Sequence, residues 1–432
     1  MLFLFCLAEA LSAVRSGSVF AQIHPDVTTA APAEASNNSS LKEEIYTAFR
    51  PREDSLSLLA LQLNRYRVIS AYGGWPEIPD GVLLGKGIVR KAVAILRQRL
   101  ALESYLSRDR MDREKFDEEV VQAVSSFQQQ HGLKPDGVVG PMTLKELNVS
   151  ATERADQILV NMERIRRFSG SPEDSYILVN IPDFKLSVIE NGRPVITMKV
   201  VVGKPYWDTA VFSAKMTYLI INPYWDVPPS IVSREILSHV KKDPDYLIKK
   251  DFMIFKGWNE KTEIVDPAAI NWQKVSVKNI PYRFRQLPGP SNPLGRLKFM
   301  FPNKFNIYLH DTPARGLFDR GMRAFSHGCI RIEKPLELAR YLLRAYRPSL
   351  QFDLDKALAT GREQTVNLTR PIDVHIIYLT AWPDDEGRTQ FRRDIYDRDA
   401  KLLEELKRKS LNPEDDFHPD SSSAFLDNFS QK

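Results

Sequence analysis

Apolar residues recur at helical spacing from Leu41 to about Leu106, for example at Leu56, Leu59 and Leu63 and again at Val89, Val93, Leu96 and Leu100. The run Tyr72-Gly73-Gly74-Trp75-Pro76 interrupts them as a loop. Val120, Val121, Val124 and Phe127 then form one face of a further helix, which Gly132 suits as a C-terminal stop. Asp136-Gly137 marks a tight turn, and Pro141 is placed to start a new helix. Residues 150–168 read as one more helix. From Tyr176 the pattern changes to β-branched and aromatic residues, which predict strands at 176–181, 185–190, 195–202 and 215–222. Asn191-Gly192 is a hairpin turn signal between the second and third of these. Later strands are expected at 306–311 and 373–382. Residues 230–305 break the β pattern with a helix over 231–241 and a stretch rich in Pro and aromatic residues. So long an interruption inside a compact domain predicts a lid or subdomain. Residues 390–409 read as a charged helix, followed by an acidic, Ser-rich tail with the composition of a disordered segment.

These patterns predict a multidomain α+β chain: a helical region over 41–168, then a mainly β domain over 174–382 with a helical and irregular insertion at about 230–305, then residues 383–432 as charged helix and tail. The 432 residues suffice for two or three domains at about 150 residues each. Net charge is +5 with both signs interspersed, which gives no reason to expect a nucleic-acid partner. Leu2 to Ala8 is apolar, and Val19-Phe20-Ala21 resembles a cleavage site before Gln22. An export leader over 1–21, a linker over 22–40 and a periplasmic destination are therefore expected, although Glu9 interrupts the apolar run and no Lys or Arg precedes it. No other segment approaches the ~20 apolar residues that span a bilayer, so no transmembrane domain is expected. The chain has two cysteines, Cys6 in the expected leader and Cys329. Removal of the leader leaves one thiol with no internal disulfide partner.

The neighbours of Cys329 point to chemistry. In Ala324-Phe325-Ser326-His327-Gly328-Cys329-Ile330-Arg331, an extended strand would put His327, Cys329 and Arg331 on one face. Nearby cations would lower the thiol pKa and favour the nucleophilic thiolate. Gly328 would let backbone N–H groups approach a substrate, as an oxyanion hole requires. A nucleophilic Cys is normally paired with a His base, and His310, ending the apolar run Ile307-Tyr308-Leu309, is the candidate. Its orienting group could be the Asp311 side chain or a backbone carbonyl, and Asp311 could instead cap the turn at Thr312-Pro313. His327 reads as a support for the Cys loop, and His131 as a cap or surface residue. Zinc on His310, His327 and Cys329 would need a fourth ligand, and none stands at a recognisable spacing, so no metal or other cofactor is expected.

Two resemblances organise these observations. Phe-Gln-x-x-His-Gly-Leu at 127–133 with Asp-Gly-Val-x-Gly-x-x-Thr at 136–143 resembles the small helical peptidoglycan-binding module, over about 88–148. The spacing from His310 to Ser326-His327-Gly328-Cys329-Ile330-Arg331 resembles the signature of L,D-transpeptidase catalytic domains. The runs Asn222-Pro223-Tyr224-Trp225 and Asn292-Pro293-Leu294-Gly295-Arg296 resemble the large periplasmic branch of that family, in which the intervening insertion caps the cleft. The resemblance implies that Cys329 takes an acyl group from a donor tetrapeptide stem and releases D-alanine. His310 would act as base, with Gly328 and Cys329 N–H groups holding the oxyanion. Ser326, His327 and Arg331 would shape the site and bind substrate carboxylate. It implies peptidoglycan stems and glycan as partners, a diaminopimelate amine as acceptor giving 3→3 cross-links, and acylation by carbapenems. Transfer of the same acyl group to water or to a protein, or a non-catalytic wall-binding role, are the alternatives.

Overall fold

The computed structural model describes residues 54–167, 174–257, 263–347 and 352–411. The expected leader, linker and terminal tail lie outside the described residues. Among the described residues, five α-helices come first: α1 (Ser55–Ala71), α2 (Lys91–Leu102), α3 (Glu118–Gln130), α4 (Pro141–Leu147) and α5 (Ala151–Arg166). Each boundary has a local cause. The Asp117 carboxylate accepts from Val120 N–H at the start of α3, Pro141 occupies the first turn of α4, and Ser150 with Glu153 forms a reciprocal capping box on α5. Helices α2 to α4 enclose one core that includes Val93, Leu96, Leu100, Val124, Phe127 and Leu147. Val89 is not part of it: residues 88–90 run extended ahead of α2, Val89 bridges Lys115, and its side chain is 62% exposed. Helices α1 and α5 belong elsewhere. Leu59, Leu63, Ile158 and Met162 bury against Ile377, Leu379 and Phe391 of the β-rich domain.

Gln128 ties the turn of this module together. Its amide nitrogen reaches Asp136 Oδ1 at 3.1 Å, the Val138 carbonyl at 2.9 Å and Thr143 Oγ1 at 3.0 Å, and its oxygen accepts from Gly137 N–H at 2.9 Å. Gly137 has φ +69°, and a Cβ there would meet Val121 at 2.7 Å, so only glycine fits the turn.

The β-rich domain is built on β1 (Ser175–Asn180), β2 (Lys185–Glu190), β3 (Arg193–Gly203) and β4 (Phe212–Ile221). Asn191 and Gly192 both take positive φ between β2 and β3, as a tight hairpin requires. The interruption that follows is not irregular. Strands β5 (Trp225–Asp226), β6 (Phe252–Lys256), β7 (Ile264–Val265) and β8 (Tyr282–Gln286) form a separate four-stranded sheet in the order β5-β8-β6-β7. A π-helical turn at Val232–Ile236 and α6 (Leu237–Lys242) pack on it around Leu237, Val240, Ile254 and Phe284. Its short strands, broken by Pro residues, hide their alternation in the sequence. The chain returns to the main sheet at β9 (Leu297–Met300), so residues 297–300 belong to that sheet and not to the insertion.

Next come β10 (Leu309–His310), β11 (Ala324–Ser326), β12 (Ile330–Ile332), helices α7 (Pro335–Tyr346) and α8 (Leu354–Ala359), and β13 (Gln364–Ile377). The strand expected at 306–311 shrinks to two residues because Asn303 draws Phe305 N–H and Ile307 N–H into a turn and Asn306 takes φ +54°. The strand expected at 373–382 starts earlier, at Gln364, and pauses before β14 (Ala381–Pro383), which pairs with β15 (Thr389–Phe391). The main sheet runs β11-β3-β12-β10-β9-β4-β13-β1-β2, and β2 also pairs with β3, so the ladder closes on itself. Leu309, Ile330, Leu219 and Val374 fill one side of it against Leu338 and Leu342 of α7. The final helix, α9 (Arg398–Leu411), starts later than the charged pattern suggested, because 389–391 is strand. Its Asp399 pairs with Arg164 of α5 at 2.6 Å.

His131 is buried and not a surface residue: it caps α3, stacks on Phe127 at 3.8 Å and on Phe391 at 5.3 Å, and so joins the module to the β-rich domain. Burial holds its imidazole well below the usual histidine pKa.

Replacing Gln128 by Leu should lower the unfolding free energy by about 1–3 kcal/mol, because Gly137 N–H and the Val138 carbonyl lose a buried partner. Denaturant titration reads this directly. An unchanged midpoint would show that the turn holds without the amide.

Candidate active site

The pairing of β10 with β12 builds the site. The strands are parallel, with Leu309 opposite Ile330 and His310 opposite Arg331. Leu309 and Ile330 are fully buried in the main core. Alternation therefore turns Tyr308, His310, Cys329 and Arg331 to the other face. On the opposite flank β9 sets Lys298 across from His310. Lys298 Nζ lies 4.0 Å from the centre of the Tyr308 ring.

His327, Cys329 and Arg331 do not share one continuous strand. Strand β11 ends at Ser326 and β12 begins at Ile330, and residues 327–329 turn between them with Gly328 at φ +110°. The turn is held from three directions. Ser326 Oγ donates to the Cys329 carbonyl at 2.5 Å and accepts from Gly328 N–H at 3.2 Å. Thr209, fully buried, donates to the Gly328 carbonyl at 2.8 Å and accepts from Gly203 N–H at 2.9 Å. Tyr396, beyond the expected limit of the β domain at 382, donates to the Gly203 carbonyl at 2.7 Å and accepts from Thr209 N–H at 3.2 Å. The Gly328 N–H is thus engaged by Ser326 and is not free for an oxyanion. The Cys329 N–H carries no hydrogen bond among the described residues.

His327 reaches towards the insertion. Its ring centre lies 4.2 Å from that of Trp207, and its Nε2 is 2.8 Å from Glu235 of the π-helical turn in the insertion. The insertion is thereby anchored to the cysteine turn. Arg331 has a buried Nε with no hydrogen-bond partner among the described residues.

The electrostatics differ from the simple expectation. Burial pushes the Cys329 thiol above its ordinary pKa, and this outweighs the opposing pull of the Tyr308 N–H and hydroxyl, Lys298 and Arg331. Burial also lowers His310, to about 3, with Arg331 and Lys298 adding to the effect and the Asp311 carbonyl opposing it. That carbonyl lies 2.6 Å from His310 Nδ1. A carbonyl only accepts, so Nδ1 carries the proton and Nε2 is the basic nitrogen. The orienting group of His310 is therefore the backbone of Asp311. The Asp311 side chain accepts from Thr312 N–H at 2.7 Å and Arg296 N–H at 2.9 Å, fixing the turn. Gly295 has φ +61°, and a Cβ there would fall 2.3 Å from Asp311 Oδ2, so the close approach of these two loops depends on glycine.

The site as assembled sets a neutral thiol on the turn before β12 and a neutral imidazole with its proton on Nδ1 on the paired strand β10, beside Lys298 and Arg331. It suits nucleophilic attack with proton transfer. Sequence reasoning missed Tyr308, Lys298, Trp207 and Thr209. The alternation Leu297-Lys298-Phe299 and Ile307-Tyr308-Leu309 carried a signal for the first two; the other two had none.

Residues 174–371 match the family model described as "L,D-transpeptidase catalytic domain", and residues 89–147 match "Putative peptidoglycan binding domain". A Haemophilus influenzae protein named "Putative L,D-transpeptidase" is 33% identical over 260 residues, 60% of this chain and 50% of that protein, so the chain spans about half the length of this curated relative. Among solved structures, an L,D-transpeptidase from Stackebrandtia nassauensis is similar at TM-score 0.26 and 15% identity, covering 70% of this chain and 96% of that one. One from Mycobacterium smegmatis is similar at TM-score 0.24 and 12% identity, covering 49% and 61%. The chain therefore carries an L,D-transpeptidase catalytic domain over residues 174–371, preceded by a peptidoglycan-binding domain over residues 89–147.

Proposed function

We propose that the protein is a peptidoglycan L,D-transpeptidase working through a thioester on Cys329. The observation that carries this reading is the neutral His310, its Nδ1 tied to the Asp311 carbonyl, on the strand paired beside the cysteine turn. Cys329 Sγ attacks the carbonyl carbon of the L-centre of diaminopimelate in a donor tetrapeptide stem. His310 Nε2 takes the thiol proton as the bond forms and passes it to the amine of D-alanine as the C–N bond breaks. The developing oxyanion lies against the Cys329 N–H. A diaminopimelate amine then attacks the thioester, His310 removes its proton, and the sulfur leaves and is reprotonated. The product is a 3→3 cross-link. The unpartnered Nε of Arg331 faces a substrate carboxylate, for which guanidinium geometry is suited.

Ser326 and Thr209 keep the cysteine turn in shape, and His327 links it to the insertion. Water in place of the amine would give an L,D-carboxypeptidase, and a protein amine would give wall attachment. This substrate places the working site outside the cytoplasmic membrane, in the periplasm. No helix among the described residues is long and apolar enough to cross a membrane.

Defined tetrapeptide muropeptides incubated with the protein should give 3→3 dimers, read by mass. Cys329→Ala should abolish them, and His310→Ala should slow them by about 10²–10⁴. Tripeptide monomers alone would select the hydrolytic alternative, and dimers persisting in Cys329→Ala would sink the reading. A carbapenem should add its mass once to the wild type and not to Cys329→Ser; equal adducts on both would contradict the thioester. Because the thiol is raised and His310 stays neutral, iodoacetamide alkylation of Cys329 should climb about tenfold per unit from about pH 7 to pH 9. A plateau at neutral pH would indicate a preformed thiolate–imidazolium pair instead.

A further inference from the structure

A second groove lies where the helical module meets the β-rich domain. Its floor is the face of β1, β2 and β3 turned away from the main core, its walls are the last turn of α3 and the β14–β15 hairpin, and its volume is about 540 Å³. That is within the range of small-ligand sites, roughly 300–1,000 Å³. Neither Cys329 nor His310 lines it.

Its chemistry is particular. Trp382, half-buried, supplies an indole wall, one face of which lies under the Arg392 guanidinium, 4.9 Å from the ring centre. Arg392 is fixed in turn, to Asp183 at 2.6 Å and to the Gln130 carbonyl at 2.9 Å, so the wall is set before any ligand arrives. The exposed Gln129 also lines the groove, with Ser187 and Thr197, whose hydroxyls lie 3.3 Å from one another. The charges in the groove are engaged: Asp183 with Arg392 and Lys185, Asp384 and Glu386 with Arg388, and Asp385 is not free either. A strongly charged ligand finds no unpaired partner among these groups, and a purely apolar one would strip water from the amide and hydroxyls without replacing it. A neutral, hydroxyl-rich ring with an apolar face satisfies both the indole and its polar flanks. That is the chemistry of a pyranose.

We propose that this groove binds the glycan strand of peptidoglycan through its N-acetylhexosamine rings. The inference rests on the reading of peptidoglycan as substrate. It assigns the grip on glycan to the junction of the two domains, where His131 and Arg392 already join them. A strand held there lies in the same compact unit as the cysteine turn.

The test uses the full chain and a peptide-free probe, the β-1,4-linked N-acetylglucosamine tetramer, titrated by calorimetry or NMR. The wild type should bind it and ignore maltotetraose. Trp382→Ala, which removes the plate, and Gln129→Trp, which fills the groove from an exposed position, should each weaken binding at least tenfold. Circular dichroism checks that each variant is folded, and if Trp382→Ala is not, Gln129→Trp decides. A wild type that does not bind the tetramer, or a Gln129→Trp variant that binds it as well as the wild type, overturns the proposal. Tetramer binding without a carbapenem adduct on Cys329 would support this site while sinking the acyl-transfer reading. An adduct without tetramer binding would do the reverse.

Discussion

Two residues of parallel pairing hold the site together. Leu309 opposite Ile330 and His310 opposite Arg331 bring together segments that lie far apart along the chain. The pairing is short, but its two apolar members are fully buried and each lies between other strands of a closed ladder. Burial of such side chains contributes roughly 1.5–3 kcal/mol each. Everything on the opposite face takes its position from this core: Tyr308 and His310 from one strand, Cys329 and Arg331 from the other, Lys298 from the next. The loops that trim the site are then fixed by side chains from distant elements, Thr209 below Gly328 and Tyr396 below Gly203.

Burial also decides the charge state. Two cations and two tyrosine donors act to stabilise a thiolate, yet desolvation outweighs them and the thiol stays protonated. The same desolvation, helped by the same cations, keeps His310 neutral. The two effects are consistent with each other. In the proposed mechanism, a site that resists separated charge at rest moves the proton only as the new bond forms, and the Asp311 carbonyl leaves Nε2 as the receiving nitrogen.

Much of this was legible in the sequence. The change from helical to alternating periodicity located the two domains, and the spacing from His310 to Cys329 pointed to the segments that the pairing of β10 with β12 brings together. The Asn191-Gly192 turn and the caps at Asp117, Pro141 and Ser150 needed only local rules. What escaped depends on tertiary context. The four short strands of the insertion are too brief for periodicity to register. His131 lies at a helix end, where exposure is the ordinary expectation, but a second domain closes over it. Proximity of His327 and Cys329 in sequence suggested a shared face, whereas the positive φ of Gly328 turns the chain between them. Asp311 looked like a rival orienting carboxylate, and its main chain does that work instead.

The protonated thiol has a consequence for endurance. Peroxides and other dissolved oxidants attack the thiolate, and sulfenic acid forms in proportion to it. A sulfur that ionises only in contact with a bound acyl donor presents little of that form to its surroundings. The burial that keeps the Cys329 thiol protonated therefore also limits how much thiolate it offers to an oxidant.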